Sequence, residues 1–198
     1  MSVDIDRIRA ALGAPQWASS DFDLNPGLTL PLGRTLRPAA VLIALWERPN
    51  GARLILTKRA SHLQHHPGQI AFPGGKVDQG DADHEATALR EAHEEIALAP
   101  NLVQIIGKLP AHETVTGFQI TPVLGHIRAN FTPVSQAGEV EEVFTVPLRH
   151  VLDPANYRVE RRQWRGEWRH FYAVPYGPYY IWGATARILR GLAERIAL

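Results

Sequence analysis

Hydrophobic and polar positions follow two alternating periods along this chain, one helical and one extended. Ile5, Ile8 and Leu12 recur at helical spacing, and Gly13 then predicts the end of a short amphipathic helix. From Trp17 to Pro38 the chain is rich in proline and glycine and reads as an extended lead-in. Two β-like runs follow, Ala39 to Glu47 and Arg53 to Arg59. The Pro49-Asn50-Gly51 turn between them predicts a hairpin. A loop then leads to a short strand, Ile70 to Phe72, and to Pro73-Gly74-Gly75.

A helix is predicted from about Asp83 to Ile96, with Asp81 or Asp83 as its N-cap and Pro100 just past its end. Further strands are expected at Leu102 to Leu109, Phe118 to Ile127 and Glu142 to Val146. Tyr157 to Gln163 and Trp168 to Val174 flank Arg165-Gly166-Glu167 as a second hairpin, and a helix runs from Ile181 to Leu198. This order predicts an α/β (α+β) protein: a mixed β-sheet with helices on both sides. Residues 1–38 are expected to form an N-terminal helix and lead-in, and residues 39–198 one domain. A chain of 198 residues is long enough to bury about 70% of the surface it exposes when unfolded.

Composition narrows the function classes. Lys and Arg number 21 against 20 Asp and Glu, a net charge of +1, which argues for neither nucleic acid nor a membrane surface as partner. The absence of cysteine excludes disulfides and thiolate metal sites. The first residues, MSVDIDRIRAALG, are too charged for a signal peptide, and no apolar run reaches about 18 residues. A cytoplasmic protein, monomeric or homodimeric, is the expectation.

The segment with chemical content is REAHEEIAL, Arg90 to Leu98. At about 100° per residue, with Glu91 set at 0°, Glu95 falls near 40° and Glu94 near 300°. Three carboxylates thus share one arc, beside the apolar stripe of Ala88, Leu89, Ala92 and Ile96. Like charges at this spacing typically destabilise a helix by about 0.2–0.5 kcal/mol per pair. Glu94 and Glu95 also face the negative end of the helix dipole, typically about 0.3–1 kcal/mol more. A bound divalent cation turns that repulsion into ligation, and oxygen-only donors suit magnesium or manganese rather than zinc. A solvated charged face has the same composition. What separates the two readings is Gly74-Gly75 just upstream, which lets bare backbone approach a ligand next to the acidic helix.

Gly75, Arg90, Glu91, Glu94, Glu95 and Leu98 match the Nudix box, G-x5-E-x7-R-E-U-x-E-E-x-G-U with U a bulky apolar residue. The chain therefore resembles the Nudix hydrolase superfamily. It departs from the pattern in four places. Asp81 stands where the first Glu belongs, and the interval from Gly75 to Arg90 is one residue longer. Ala97 replaces the last Gly, and Ala92 is small for its position.

Upstream, Leu54 to Gly75 is similar to the extended signature of the coenzyme A pyrophosphatase branch. Thr57, Arg59, Leu63, His66, Gly68, Gln69, Ile70, Ala71 and Phe72 match, and Ala60 departs. Thr116 to Gly125, Glu139 to Leu148 and Ile181 to Leu189 resemble the same branch. The resemblance implies a Nudix fold, an α/β/α sandwich. It also implies metal-dependent hydrolysis of coenzyme A, and of acyl-CoA, to adenosine 3′,5′-bisphosphate and 4′-phosphopantetheine or its acyl derivative.

On this resemblance Glu91, Glu94 and Glu95 are the metal ligands, for Mg2+ or Mn2+. Arg90 orients the carboxylates, and the Gly74 carbonyl is a further oxygen donor. Arg59, His66, Gln69, Gly74 and Gly75 face the substrate. The general base stays open between Glu91, Glu139 and Glu113. By charge alone, Lys58, Arg161, Arg162, Arg165 and Arg169 are candidates for the 3′-phosphate. Trp164 and Trp168 suit either adenine stacking or the core. Two other readings remain: a Nudix pyrophosphatase acting on ADP-ribose, NADH or nucleoside triphosphates, and a non-catalytic nucleotide- or RNA-binding sensor on the same fold.

Overall fold

The structure, a computed structural model, describes residues 3–13, 17–28, 33–164 and 166–197. The candidate Arg165 lies outside them. In chain order the elements are α1 (Val3–Ala11), β1 (Ser19–Ser20), β2 (Arg37–Trp46), β3 (Arg53–Arg59), β4 (Ile70–Ala71), β5 (Gly74–Lys76) and α2 (His84–Ile96). There follow β6 (Val103–Lys108), β7 (His112–Glu113), β8 (Phe118–Ile127), β9 (Val140–Pro147), α3 (Leu148–Val151), β10 (Arg158–Trp164), β11 (Glu167–Ala173) and α4 (Ala184–Ala197).

β2 organises the mixed sheet. It runs parallel to β8 along its whole length, from Arg37 opposite Phe118 to Trp46 opposite Ile127. On its other side it pairs at one end with β3, Leu45 opposite Leu54, and at the other with β5, Ala39 opposite Lys76 and Val41 opposite Gly74. β3 pairs with β9 along its length on one side and, past Leu54 where it parts from β2, with β4 on the other. The glycine strand thus slots in beside the start of β2, opposite the hairpin turn.

The side-chain alternation of β2 explains the layers. Ala40, Leu42, Ala44 and Trp46 join a core with Ala88, Ala92 and Ile96 of α2. Ile43 and Leu45 point the other way, into a core shared with Ile5 and Ile8 of α1 and with Ile188, Leu189 and Leu192 of α4. A sheet covered by α2 on one face and by α1 and α4 on the other is the sandwich expected from the sequence. Alanines on both β2 and α2 let the helix approach closely, and that proximity sets the site.

α2 begins at Asp83, whose side chain accepts a hydrogen bond from the Ala86 N–H at 2.9 Å, so Asp83 and not Asp81 is the N-cap. It ends at Ala97, which is left-handed at φ 57° and donates its N–H to the last carbonyls of the helix. This is the turn for which the pattern has Gly. Ala keeps the geometry at the steric cost of its Cβ.

Other differences from the sequence reading are local. Gly74–Gly75 is a strand rather than only a turn, and the lead-in holds β1, which pairs parallel with the unforeseen β7. Trp164 and Trp168 are 45% and 54% exposed, so neither is core. They lie in the separate β10–β11 hairpin, stacked under Arg169 and Arg161.

Candidate active site

The three helix glutamates are buried in the order of their angles on the helical wheel. Glu95, nearest the apolar stripe, is 5% exposed. The Glu91 side chain is 16% exposed, and that of Glu94, on the far side, 50%. Glu95 Oε2 accepts a hydrogen bond from the Gly74 N–H at 3.1 Å, tying the helix to the glycine strand. Burial raises the Glu95 carboxyl to about 8; the Gly74 N–H and Arg59 act against the rise, and Glu91 and Glu139 add to it. Burial likewise raises Glu91, opposed by Arg90 and reinforced by Glu94 and Glu139.

Steric facts fix the glycines. A Cβ on Gly75 would lie 2.3–2.7 Å from the Glu91 carboxylate, and one on Gly74 would lie 2.5 Å from the Ala40 carbonyl oxygen. At Gly74 the clash is with backbone and excludes a side chain; at Gly75 a side chain fits only if Glu91 moves, so the Glu91 carboxylate rests directly on bare backbone.

Arg90 gathers the acids. Its Nε and Nη2 fork onto the two oxygens of Asp81, each at 3.0 Å. Nη1 reaches Glu91 at 2.9 Å and Glu94 at 3.2 Å, and Nη2 also donates to the Lys76 carbonyl. Asp81 further accepts from the Thr87 hydroxyl at 2.8 Å and the Asp78 N–H at 2.9 Å. The Arg90 guanidinium, foremost among these partners, holds the Asp81 carboxyl well below the usual range. The sequence reading gave Arg90 its orienting role but left Asp81 as a cap or a departure from the pattern. Its place six residues after Gly75, where the box has Glu, was the signal that an acid is needed there.

The second wall is the loop from Arg59 to Gln69. The Arg59 N–H donates to the Gln69 carbonyl at 3.0 Å, the Gly68 N–H to the Arg59 carbonyl at 3.1 Å, and the Gln69 N–H to the His66 carbonyl at 3.2 Å. His66 is left-handed at φ 55°. Its imidazole is held below the ordinary value by desolvation, then by the charges of Arg59 and His65, with Gln69 partly opposing. Arg59 Nε is buried with no hydrogen-bond partner, while the Arg59 charge acts on Glu95. The Glu139 carbonyl accepts the Ala60 N–H at 2.9 Å, which places Glu139 beside this wall.

The structure thus brings together Arg90, Glu91, Glu94, Glu95, Gly74 and Gly75, with Arg59, His66, Gln69 and Glu139 adjoining. It does not bring in every candidate. Glu113 is paired with Arg34 at 3.3 Å. Lys58 is paired with Glu141 at 2.6 Å. Arg161 and Arg169 are stacked on the hairpin tryptophans.

A NUDIX domain matches residues 36–168, two thirds of the chain. Over 162 residues the chain is 48% identical to a protein of Enterobacter sp. (strain 638) described as an uncharacterized Nudix hydrolase NudL, covering 82% of this chain and 84% of that one. The chain belongs to the Nudix hydrolase family. It is 46% identical over 162 residues to the NudL protein of Salmonella newport (strain SL254), with the same coverage of 82% and 84%. A crystal structure of a MutT/nudix family protein from Enterococcus faecalis matches with a TM-score of 0.50, over 86% of this chain and 65% of that chain, at 12% identity, a likeness of fold. As a Nudix hydrolase the protein is an enzyme of pyrophosphate bonds in nucleoside diphosphate-linked substrates, and this family requires divalent metal. Among the described residues no helix is long and apolar enough to cross a membrane.

The donor set fits a hard dication. Glu95 and Glu91 offer carboxylate oxygens against a glycine cradle, in a place where negative charge exceeds what Arg90 and Arg59 offset. Glu94 lies further out, on Arg90. Among the described residues no three such groups already stand close enough together to hold an ion.

Proposed function

We propose that this Nudix hydrolase cleaves the phosphoanhydride bond of coenzyme A, with Mg2+ or Mn2+ held by Glu91 and Glu95 and with Glu94 as the outer ligand. The observation that carries the metal assignment is Glu95, nearly fully buried on the Gly74 N–H, with two further carboxylates acting on it. A buried acid crowded by acids is costly unless a cation compensates it. The ion, when bound, supplies neutralisation of the diphosphate and activation of water.

The protein's own groups do the rest. Arg90, braced by Asp81, keeps Glu91 and Glu94 on the glycine side of α2. Gly75, lacking a Cβ, lets the Glu91 carboxylate sit against the glycine strand. Arg59, with its buried unpaired Nε, donates to a phosphate oxygen. His66, held toward its neutral form, and Gln69 shape the loop around it. Glu139 takes the proton from the attacking water: its charge is felt at both Glu91 and Glu95, whereas Arg34 occupies Glu113.

Coenzyme A is favoured over other diphosphates because Arg59, His66, Gly68 and Gln69, which with Thr57 carry that resemblance, belong to one hydrogen-bonded loop whose Arg59 charge acts on Glu95. Thr57 donates its hydroxyl to Ala71 at 3.2 Å, and Thr185 of α4 donates to Ile70 at 3.1 Å, so both ends of the loop are fastened. The test is mass spectrometry of products from coenzyme A with magnesium in oxygen-18 water. Adenosine 3′,5′-bisphosphate and 4′-phosphopantetheine, one of them labelled, are expected. Intact coenzyme A beside cleaved ADP-ribose, NADH or nucleoside triphosphate refutes the assignment.

A further inference from the structure

A cavity of about 300 Å³ lies on the other side of the same loop, and no role described so far uses it. Its walls include Lys58, Ile70, Tyr179, Tyr180 and Trp182, with Gly68 at the rim. Alternation along β3 puts Thr57 on the α2 side with Ile55 and Lys58 on the α4 side with Leu56, so the cavity opens away from the glutamates. The loop that forms the second wall of the active site nevertheless reaches the cavity's rim at Gly68. β4 pairs with β3 on the side opposite β9, and the loop that joins β3 to β4 carries Arg59 at one end and Gln69 at the other. Gly68 donates its N–H to the Arg59 carbonyl at 3.1 Å, so the loop that carries Arg59 borders the cavity as well.

The lining has the chemistry of a stacking site. The Tyr179 hydroxyl donates to Glu142 and the Tyr180 hydroxyl to Glu160, each at 2.5 Å, so the polar end of each ring is engaged and the rings offer the cavity apolar surface. Tyr179 is also stacked on Phe144 with centroids 3.6 Å apart, which fixes its plane. Tyr180 and Trp182 lie 6.5 Å apart at 34°, and Tyr180 remains 42% exposed. The Lys58 side chain completes the wall, its ammonium paired with Glu141. A volume of this size is at the lower end for small-molecule sites and matches a nucleoside-sized group rather than a whole dinucleotide.

We infer that this cavity is the base-binding subsite of the enzyme, taking the planar nucleobase of the diphosphate substrate against Tyr180 and Trp182. The inference rests on the diphosphate lying on the Arg59 side of the loop. It also gives Trp182 a role that its place before α4 did not suggest.

The test is calorimetric titration with adenosine 5′-monophosphate and, as a base-free control, ribose 5-phosphate, in the presence of magnesium. The wild-type protein binds the nucleotide more tightly than the sugar phosphate. Trp182→Ala weakens nucleotide binding by about tenfold, the size of one lost base–aromatic stack, and leaves ribose 5-phosphate binding unchanged. Tyr180→Ala, at an exposed rim position, makes the same comparison should Trp182→Ala fail to fold. Equal affinity of the wild type for both probes, unchanged nucleotide binding in the variants, or equal loss of both probes would overturn the inference. The coenzyme A assignment is tested separately: intact coenzyme A in the product assay with a normal nucleotide titration removes that substrate and keeps the subsite.

Discussion

Arg90 grips Asp81 with two parallel hydrogen bonds of 3.0 Å each and has only single contacts left for Glu91 and Glu94. The residue that departs from the family pattern is thus the main anchor of the arginine. Asp81→Ala is expected to cost about 1.5–3 kcal/mol of stability, the usual worth of a hydrogen bond to a charged group. It also releases Arg90 toward the glutamates and lowers kcat. Urea unfolding together with steady-state kinetics checks both, and an Asp81→Ala protein with wild-type kcat would show that the anchor is only structural.

The same pair makes stability depend on acid. The folded Asp81 carboxyl titrates well below its ordinary 3.8, so its contribution is complete well above that value and is lost as pH falls through and below it. The difference in melting temperature between wild type and Asp81→Asn should be full at neutral pH and shrink below about pH 4. A difference that stays constant down to pH 2.5 would contradict the pairing.

Gly75 has no room for a methyl group, because a Cβ there overlaps the Glu91 carboxylate. Gly75→Ala is expected to displace Glu91 and reduce kcat by two or more orders of magnitude, as about 1 Å of misplacement does at catalytic sites. Circular dichroism should remain that of the wild type. Activity within a few-fold of wild type would mean that Glu91 is not needed where it stands.

At the other end of the helix the substitution should help. Ala97 is left-handed at φ 57° and exposed, so Ala97→Gly relieves steric cost without removing a packed side chain. A gain of about 1 kcal/mol is expected, raising the melting temperature by about 2–4 °C with kinetics unchanged. A lower melting temperature would show that Ala97 makes a contact worth more than its strain.

Much of this was legible in the sequence, for identifiable reasons. β8 was read with its observed bounds, because Phe118–Ile127 is a long apolar run flanked by a glycine turn. The burial order of Glu91, Glu94 and Glu95 followed from helical angle alone. What escaped the reading depends on partners distant in sequence. β1 and β7 are two residues each and exist only as partners of one another and of β8. Asp81 was recognisable as an acid in the right place, but its hold on Arg90 needed the loop's conformation. Trp182 was read as part of the last helix, but α4 begins only at Ala184 and Trp182 instead bridges to Ala173, so the cavity it lines with Tyr180 and Ile70 of β4 was not foreseen.

The central claim is that the acidic face of α2 holds a hard cation against the glycine strand, and manganese titration by calorimetry, run beside turnover on Glu95→Gln, tests it most directly. The account predicts saturable Mn2+ binding by the wild type, at least about tenfold weaker binding by Glu95→Gln as the loss of one charged ligand removes upward of 1.4 kcal/mol, and turnover lower by orders of magnitude with the fold intact. Equal manganese affinity and near-normal hydrolysis in Glu95→Gln at saturating metal would contradict it.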